Sequence, residues 1–206
     1  MDLTAAIAES DPCRAVPAPR ERILTAAREL FFRHGIRAVG VDAIAEAAGT
    51  NKMTLYRHFA SKDELIAACL RQLAAEKEAA WDAITRAHAG DPQGELQAWL
   101  ELVDQYMTKL EKRGCALANA AVELPEKDHP ARRVIEESKT AHRERLSRLC
   151  RAAGLSEPER LADEVFLLIE GARISLQSVG PGGPGSRLAP MLQALIRDHG
   201  RPPIGS

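Results

Sequence analysis

Apolar residues along this chain recur at helical spacing almost from end to end. Ile23, Ala26, Ala27, Leu30 and Phe31 stand at i, i+3, i+4, i+7 and i+8, one stripe of an amphipathic helix. Gly35, just after His34, suits a left-handed cap at its end. Val41, Ile44, Ala45 and Ala48 predict two more turns, closed by Gly49. Asn51 is then placed to N-cap a third short helix that runs to about His58 with Leu55 inward. The tetrapeptide SKDE at 61–64 has the form of a capping box, with Ser61 as N-cap and Glu64 three residues on. It opens a long helix whose apolar face holds Leu65, Ile66, Cys69, Leu70, Leu73, Trp81 and Ile84.

The stretch AGDPQG at 89–94 breaks that helix, and Leu96, Trp99, Leu100, Val103, Tyr106, Met107 and Leu110 mark the next, ended near Gly114. A short helix from Cys115 to about Val122 precedes the polar loop LPEKDHP. Val134, Ile135, Ser138, Ala141, Leu146 and Leu149 predict another long helix ending at Gly154. Pro158 sits early in the following helix, where its missing N–H costs little, and LADEVFLLIEGARISLQ continues it as a densely apolar run. After GPGGPG at 180–185, Leu188, Met191, Leu192, Leu195 and Ile196 form a final helix. With no alternating strand pattern and no internal repeat, the chain reads as all-α, about nine helices.

Composition adds the class. At 206 residues, 45% hydrophobic and 28% charged, the chain is that of an ordinary globular protein, long enough to bury a core without disulfides or a structural metal. A net charge of -1 argues against coating nucleic acid along the whole length. Between Arg20 and Lys62, however, the cations Arg20, Arg22, Arg28, Arg33, Arg37, Lys52, Arg57 and Lys62 face only Glu21, Glu29, Asp42 and Glu46. That asymmetry suggests a segment that meets a polyanion, although a solvated helix face would show it too. Cys13, Cys69, Cys115 and Cys150 are scattered without a C-x-x-C pair, as expected for inert thiols in a reducing cytoplasm. No run approaches the ~18 apolar residues of a membrane span, and the first twenty residues lack the pattern of a signal peptide.

The three helical segments from Arg20 to His58 fit a helix-turn-helix. A recognition helix must be narrow enough for the major groove, carry donors near its N-terminus and be braced by the helix before it. Lys52, Met53, Tyr56 and Arg57 fall on the side opposite Leu55 and Phe59. Periodicity alone fits a surface hairpin of a helical bundle as well. The run VDAIAEAAGTNKMTLYRHFASKDELIAACL goes further: it resembles the DNA-binding domain of TetR-family transcriptional regulators in its I-A-x-x-A-G turn, T-L-Y-x-H-F helix and following S-K-D-E-L. The resemblance implies that Asn51, Lys52, Met53, Thr54, Tyr56, Arg57 and His58 face bases and phosphates, and that Lys62 takes a phosphate. Two positions depart from the family pattern. Gly40 stands where a hydroxyl residue usually caps the second helix and touches a phosphate, and Met53 stands where a small residue is common.

The later run from Gly114 to Leu155, followed by ADEVFLLIEGA, resembles the C-terminal domain of one TetR subgroup. There the fourth to seventh helices enclose an effector pocket and the last two pair two subunits. The implied organisation is a flexible arm over 1–19, a helix-turn-helix domain over 20–65, a ligand-binding and dimerisation domain over 66–200 and a tail over 201–206. Candidate ligand contacts are Trp81, Trp99, Tyr106, Met107, Cys115, Asn119, Phe166 and Glu170, although aromatic and Met side chains at helical spacing also serve as core. Cys115 is in addition a candidate thiol sensor, with Arg113 its one basic neighbour in sequence. The last two helices are apolar over a broad arc, so Phe166, Leu167, Ile169, Ile174, Leu188, Leu192 and Leu195 are candidates for association between subunits.

Catalytic signatures are weak. EKDH at 126–129 is a single Glu-x-x-His in a loop, and GPGGPG lacks the Gly-Lys-Ser/Thr of a phosphate loop. No H-E-x-x-H or G-x-S-x-G occurs, so no catalytic residue, metal site or cofactor is expected. The reading is a cytoplasmic homodimeric repressor with double-stranded operator DNA as partner, released by a small apolar molecule and making no membrane contact. Regulation by a thiol or a protein partner is the alternative within DNA binding, and a helical-bundle enzyme the alternative outside it.

Overall fold

A computed structural model describes residues 17–108 and 114–200. Most of the expected arm, with Cys13, lies outside the described residues, as do Leu110, Arg113 and the tail over 201–206. Among the described residues there are nine α-helices, one short 3₁₀ turn and no strand. In chain order they are α1 Pro19–His34, α2 Val41–Ala47, α3 Lys52–His58, α4 Lys62–Ala87, α5 Pro92–Thr108, α6 Ala116–Glu123, α7 Pro130–Ala152, α8 Pro158–Ser178 and α9 Leu188–His199. The 3₁₀ turn, Pro184–Arg187, joins the last two.

Local chemistry sets these boundaries. Prolines open α1, α5, α7 and α8, at positions whose N–H would have no intrahelical partner anyway. Pro130 therefore belongs to α7 rather than to the preceding loop, with His129 Nδ1 accepting from the Ala131 N–H at 3.1 Å as the cap. Asn51 Oδ1 accepts from Thr54 N at 2.9 Å, and Ser61 Oγ from Glu64 N at 3.1 Å, as the caps of α3 and α4. Gly35 takes a positive φ of 87°, but its ψ of 158° swings the chain into an extended exit rather than a left-handed cap. At Gly49 φ is 61°, and the Thr50 N–H returns to Ala45 O at 2.9 Å, closing α2 before the turn to α3.

Two apolar cores hold the helices. The first joins Ile23 and Ala27 of α1, Ile44 of α2, Leu55 of α3 and Leu65 of α4 to Leu117 and Ala120 of α6 and to Ala131 and Ile135 of α7. The helix-turn-helix is thus sealed partly by residues far along the chain. The second core centres on Trp81, Trp99, Leu146, Leu161, Val165, Ile169, Leu188 and Leu192. Met107 is buried here, in packing rather than in a binding surface. Trp81 and Trp99 lie 5.1 Å apart between ring centroids, His142 meets Trp81 edge-on at 4.9 Å, and the Arg145 guanidinium covers Trp81 at 4.7 Å.

The turn at 180–187 folds α9 back along α8. Gly185 is required by close approach: a Cβ there would stand 2.8 Å from Ala172 O and from Leu176 Cγ. At the other end His199 O accepts from Ser156 N at 2.9 Å and from Ser156 Oγ at 2.8 Å, so α9 ends beside the start of α8. This antiparallel pairing buries Leu188 and Leu192 inside the subunit, Leu192 at 2% exposure. Neither can serve an association surface, because both already fill the intramolecular core. The apolar residues left outside are Leu167 at 68%, Ile174 at 56%, Val179 and Met191. No helix among the described residues is long and apolar enough to cross a membrane.

Candidate DNA interface and ligand cavity

On α3 the side chains divide as the helical period requires. Leu55 and the following Phe59 are buried, while Met53 is 81% and Tyr56 43% exposed and Arg57 is exposed beside them. Asn51 holds the first turn of α3 through its side-chain oxygen, and Thr54, whose N–H it accepts, is half-buried. Lys52 pairs with Asp42 of α2 at 3.3 Å, an exposed pair worth at most about 1 kcal/mol that a phosphate can replace. His58 departs from its expected place. It is half-buried, and its Nε2 is shielded from solvent with no hydrogen-bond partner, so that nitrogen is not offered to a phosphate. Lys62 donates to Ile36 O at 2.8 Å, which engages one of its three N–H groups and ties α4 to the α1–α2 loop.

Several of the cations that make this segment basic are structural. Arg22 donates to Ala48 O at 3.1 Å and Gly49 O at 3.5 Å, meeting the carbonyls left open at the end of α2 and fixing the turn. Arg28 makes a bidentate pair with Glu76 of α4 at 2.6 and 2.7 Å, and Arg20 lies 5.0 Å over the Phe59 ring. On α3 itself the exposed cations are Lys52 and Arg57.

Behind the helix-turn-helix, α1 and α4–α8 enclose a cavity of about 710 Å³. That is within the usual range for a site that holds a small organic molecule. Seven of the eight expected contacts line it: Trp81, Trp99, Tyr106, Cys115, Asn119, Phe166 and Glu170, without Met107. The polar lining residues outside the expected set include Lys77, Lys139, His142 and Arg173. A sequence signal for them existed. Lys77 falls midway between Leu73 and Trp81 on the apolar stripe of α4, and Arg173 stands at i+7 from Phe166. Lys139 and His142 likewise fall between Ile135 and Leu146 on the inward face of α7. Charges on an inward stripe mark a polar interior.

These groups perturb one another. Lys139 Nζ lies 2.6 Å from Glu170 Oε1, which Arg173 also contacts. Burial alone would raise the Glu170 carboxyl, but the Lys139 hydrogen bond and the charges of Arg173, Lys139 and Lys77 hold it below the ordinary range. Lys77 Nζ stands 3.6 Å from Cys115 Sγ. Burial lowers the Lys77 ammonium, whereas the thiol, which burial would raise, is brought below its ordinary value by Lys77, Arg173 and Lys139. The basic environment of Cys115 therefore comes from α4, α7 and α8. Cys69 and Cys150 contrast with it, pushed by burial up to about 12 and about 11. Burial, then the charges of Arg173, Lys77 and Lys139, push His142 down to about 4.

One helix joins cavity and DNA face. The cavity-lining Asn119 is on α6, with Cys115 at its N-cap. Its last residue, Glu123, accepts from Ile36 N at 2.7 Å and Arg37 N at 3.3 Å in the α1–α2 loop, and Arg37 Nε returns to Glu123 O at 2.9 Å. His129 Nε2, 3.4 Å from Asp63 Oδ1, ties the start of α7 to the first turn of α4.

Comparison with known proteins places this arrangement. The profile of bacterial regulatory proteins of the tetR family matches residues 23–69. The HTH-type transcriptional activator FasR of Mycolicibacterium smegmatis is 47% identical over 53 residues, 26% of this chain and 24% of that protein. The HTH-type transcriptional regulator UidR of Escherichia coli is 43% identical over 53 residues, 26% of this chain and 27% of that one. The matched segment thus spans about a quarter of these curated relatives. Solved structures extend the likeness to the whole fold. A TetR transcriptional regulator of Streptomyces avermitilis superposes with a TM-score of 0.72 at 30% identity over 90% of this chain and 100% of that one. A TetR-family regulator of Streptomyces coelicolor does so with a TM-score of 0.77 at 26% identity, over 89% and 96%.

Proposed function

The chain belongs to the TetR family of bacterial transcriptional regulators, and from that premise we propose that it is a homodimeric repressor released from operator DNA by a small molecule. The observation that carries this reading is the junction at α6, whose Cys115 and Asn119 border the cavity while its Glu123 grips the α1–α2 loop. A ligand that binds better with α6 displaced shifts the population toward that conformer. The loop follows Glu123, the helix-turn-helix follows the loop, and two α3 helices lose the ~34–36 Å spacing of successive major grooves.

On the DNA, Tyr56 and Lys52 are assigned to phosphates or base edges according to how α3 lies in the groove, and Arg57 to a base edge. Phosphate contacts set the register and base contacts the sequence. Association is assigned to the exposed α8 face of Leu167, Gly171 and Ile174, at i, i+4 and i+7, and to the exposed Met191 of α9. Glycine in the middle of that stripe permits close approach of a partner helix. Selection of genomic fragments on the full chain, followed by sequencing, tests the reading. Enrichment of a two-fold symmetric motif that Arg57→Ala degrades at one base pair per half-site supports it, and recovery of no common motif overturns it.

A second reading, release by thiol oxidation, draws on Cys115 and its ammonium neighbour at 3.6 Å. Treatment with peroxide separates the two: operator release that Cys115→Ser abolishes favours the thiol, and unchanged binding removes it.

A further inference from the structure

The charges on one side of the cavity do not balance. Where α4, α7 and α8 converge, Lys77, Lys139 and Arg173 face a single carboxylate, Glu170. Lys139 and Arg173 share one of its oxygens. Lys77 has as its neighbour a thiol sulfur at 3.6 Å, a weak acceptor. The other acidic groups along the lining are engaged elsewhere. Glu78 pairs with Arg145 at 3.0 Å, Glu123 holds the loop amides, and Glu29 is on the exposed side of α1. Arg28 is already neutralised by Glu76. His142 responds to the same surplus, since the three cations lower it further than burial alone.

The walls around this side are apolar and aromatic. Trp81, Trp99, Val103, Leu146, Phe166 and Ile169 contribute, and Lys139 lies 5.3 Å over the Phe166 ring. A half-buried ammonium without a carboxylate is costly, and a ligand anion supplies the missing acceptor. The ligand must also carry apolar surface, because most of the lining offers nothing else. A dense polyanion does not fit: Glu170 would repel its second charge, and the walls could not solvate it. A cation meets three like charges.

We propose that this cavity takes an amphipathic organic anion, an aromatic or aliphatic body with one acidic head, the head set between Lys77 and Arg173 and the body against Trp99 and Phe166. The proposal rests on the reading of the cavity as the effector site and specifies its chemistry. Lys77 is the residue that discriminates an anion from a neutral molecule of the same shape. Arg173 and Lys139 keep Glu170 from opposing it.

Two fluorescent probes with one aryl body test this on the full chain. These are 8-anilinonaphthalene-1-sulfonate, which carries an acidic head, and N-phenyl-1-naphthylamine, which lacks it. Each is titrated with energy transfer from Trp81 and Trp99 as the binding signal, and competition between the two probes as the sign that they share one site. The sulfonate is expected to bind about tenfold or more tightly than the amine. Lys77→Met should erase most of that preference while leaving the amine within about threefold, and Lys77→Arg should retain it. Circular dichroism confirms that the variants fold, and the ratio in the unaltered protein decides the matter even if they do not. Equal affinity for the two probes overturns the anion assignment and leaves an effector cavity that binds apolar molecules. Energy transfer with neither probe overturns both the assignment and the effector reading.

Discussion

Glu123→Ala removes the carboxylate link between the cavity helix and the α1–α2 loop while leaving both cores intact. The carboxylate accepts from the part-buried Ile36 N–H at 2.7 Å and, more weakly, from Arg37 N at 3.3 Å. A hydrogen bond to a charged acceptor contributes about 1.5–3 kcal/mol net, and the shorter contact carries most of it here. The alanine variant should therefore lose about 2 kcal/mol. Glu123→Gln, which keeps a neutral oxygen, should lose about 1 kcal/mol, because a neutral bond contributes about half as much. The bond that Arg37 Nε donates to the Glu123 backbone oxygen at 2.9 Å survives in both, which bounds the loss. Urea denaturation at fixed protomer concentration measures it, and an unchanged slope confirms that the same surface unfolds. Operator affinity should fall in the same order, since a loosened helix-turn-helix spends less time at the spacing DNA requires. An alanine variant within about 0.5 kcal/mol of the parent and with unchanged operator affinity would refute the role of this contact.

Three further outcomes are expected. Gly40→Ser should stabilise the protein by roughly 0.5 kcal/mol, because Gly40 already sits at φ -84°, no atom lies within 4 Å of an added Cβ, and α2 lacks a side-chain cap; thermal denaturation reads the gain, and a loss contradicts it. Leu167→Glu with Ile174→Glu should give folded monomers by sedimentation, whereas Leu192→Ala should cost about 2–5 kcal/mol of stability as a core cavity; a folded dimer in the first variant removes the α8 face from the interface. His142 should make stability fall as pH drops from about 6.5 toward 4, since the unfolded chain takes up a proton there that the folded ring, at about 4, refuses. The contribution is present in full above pH ~6.5 and is of order 3 kcal/mol, and His142→Phe should flatten the urea midpoint across that window.

The sequence carried the helices, their caps and the helix-turn-helix, because each depends on neighbours within a turn or two. Asn51 and Ser61 cap as their spacing requires, and Leu55 turns inward while Met53 turns out. Where a residue's role depends on a distant element, local pattern fell short. Leu188 and Leu192 looked available to a partner because nothing in their own helix reveals that α9 folds back onto α8. The resemblance makes His58 a phosphate contact, yet its Nε2 is shielded in the fold. Cys115 had one basic sequence neighbour, while the ammonium beside it comes from residue 77, on α4. Lys77, Lys139, His142 and Arg173 lie on inward stripes, and their meeting in one cavity needed three helices to converge.

On the function proposed above, a pair of these subunits reads DNA through α3. Sedimentation of the full chain with an excised duplex carrying the selected motif, paired with footprinting on the same duplex, tests it most directly. Two protomers per site are expected, with protected major-groove edges one helical turn apart, ~34–36 Å between half-site centres. Tyr56→Phe and Arg57→Ala should weaken the complex without changing its stoichiometry. One protomer per duplex, protection confined to a single groove, or undiminished affinity in the Arg57 variant would rule out paired reading through α3.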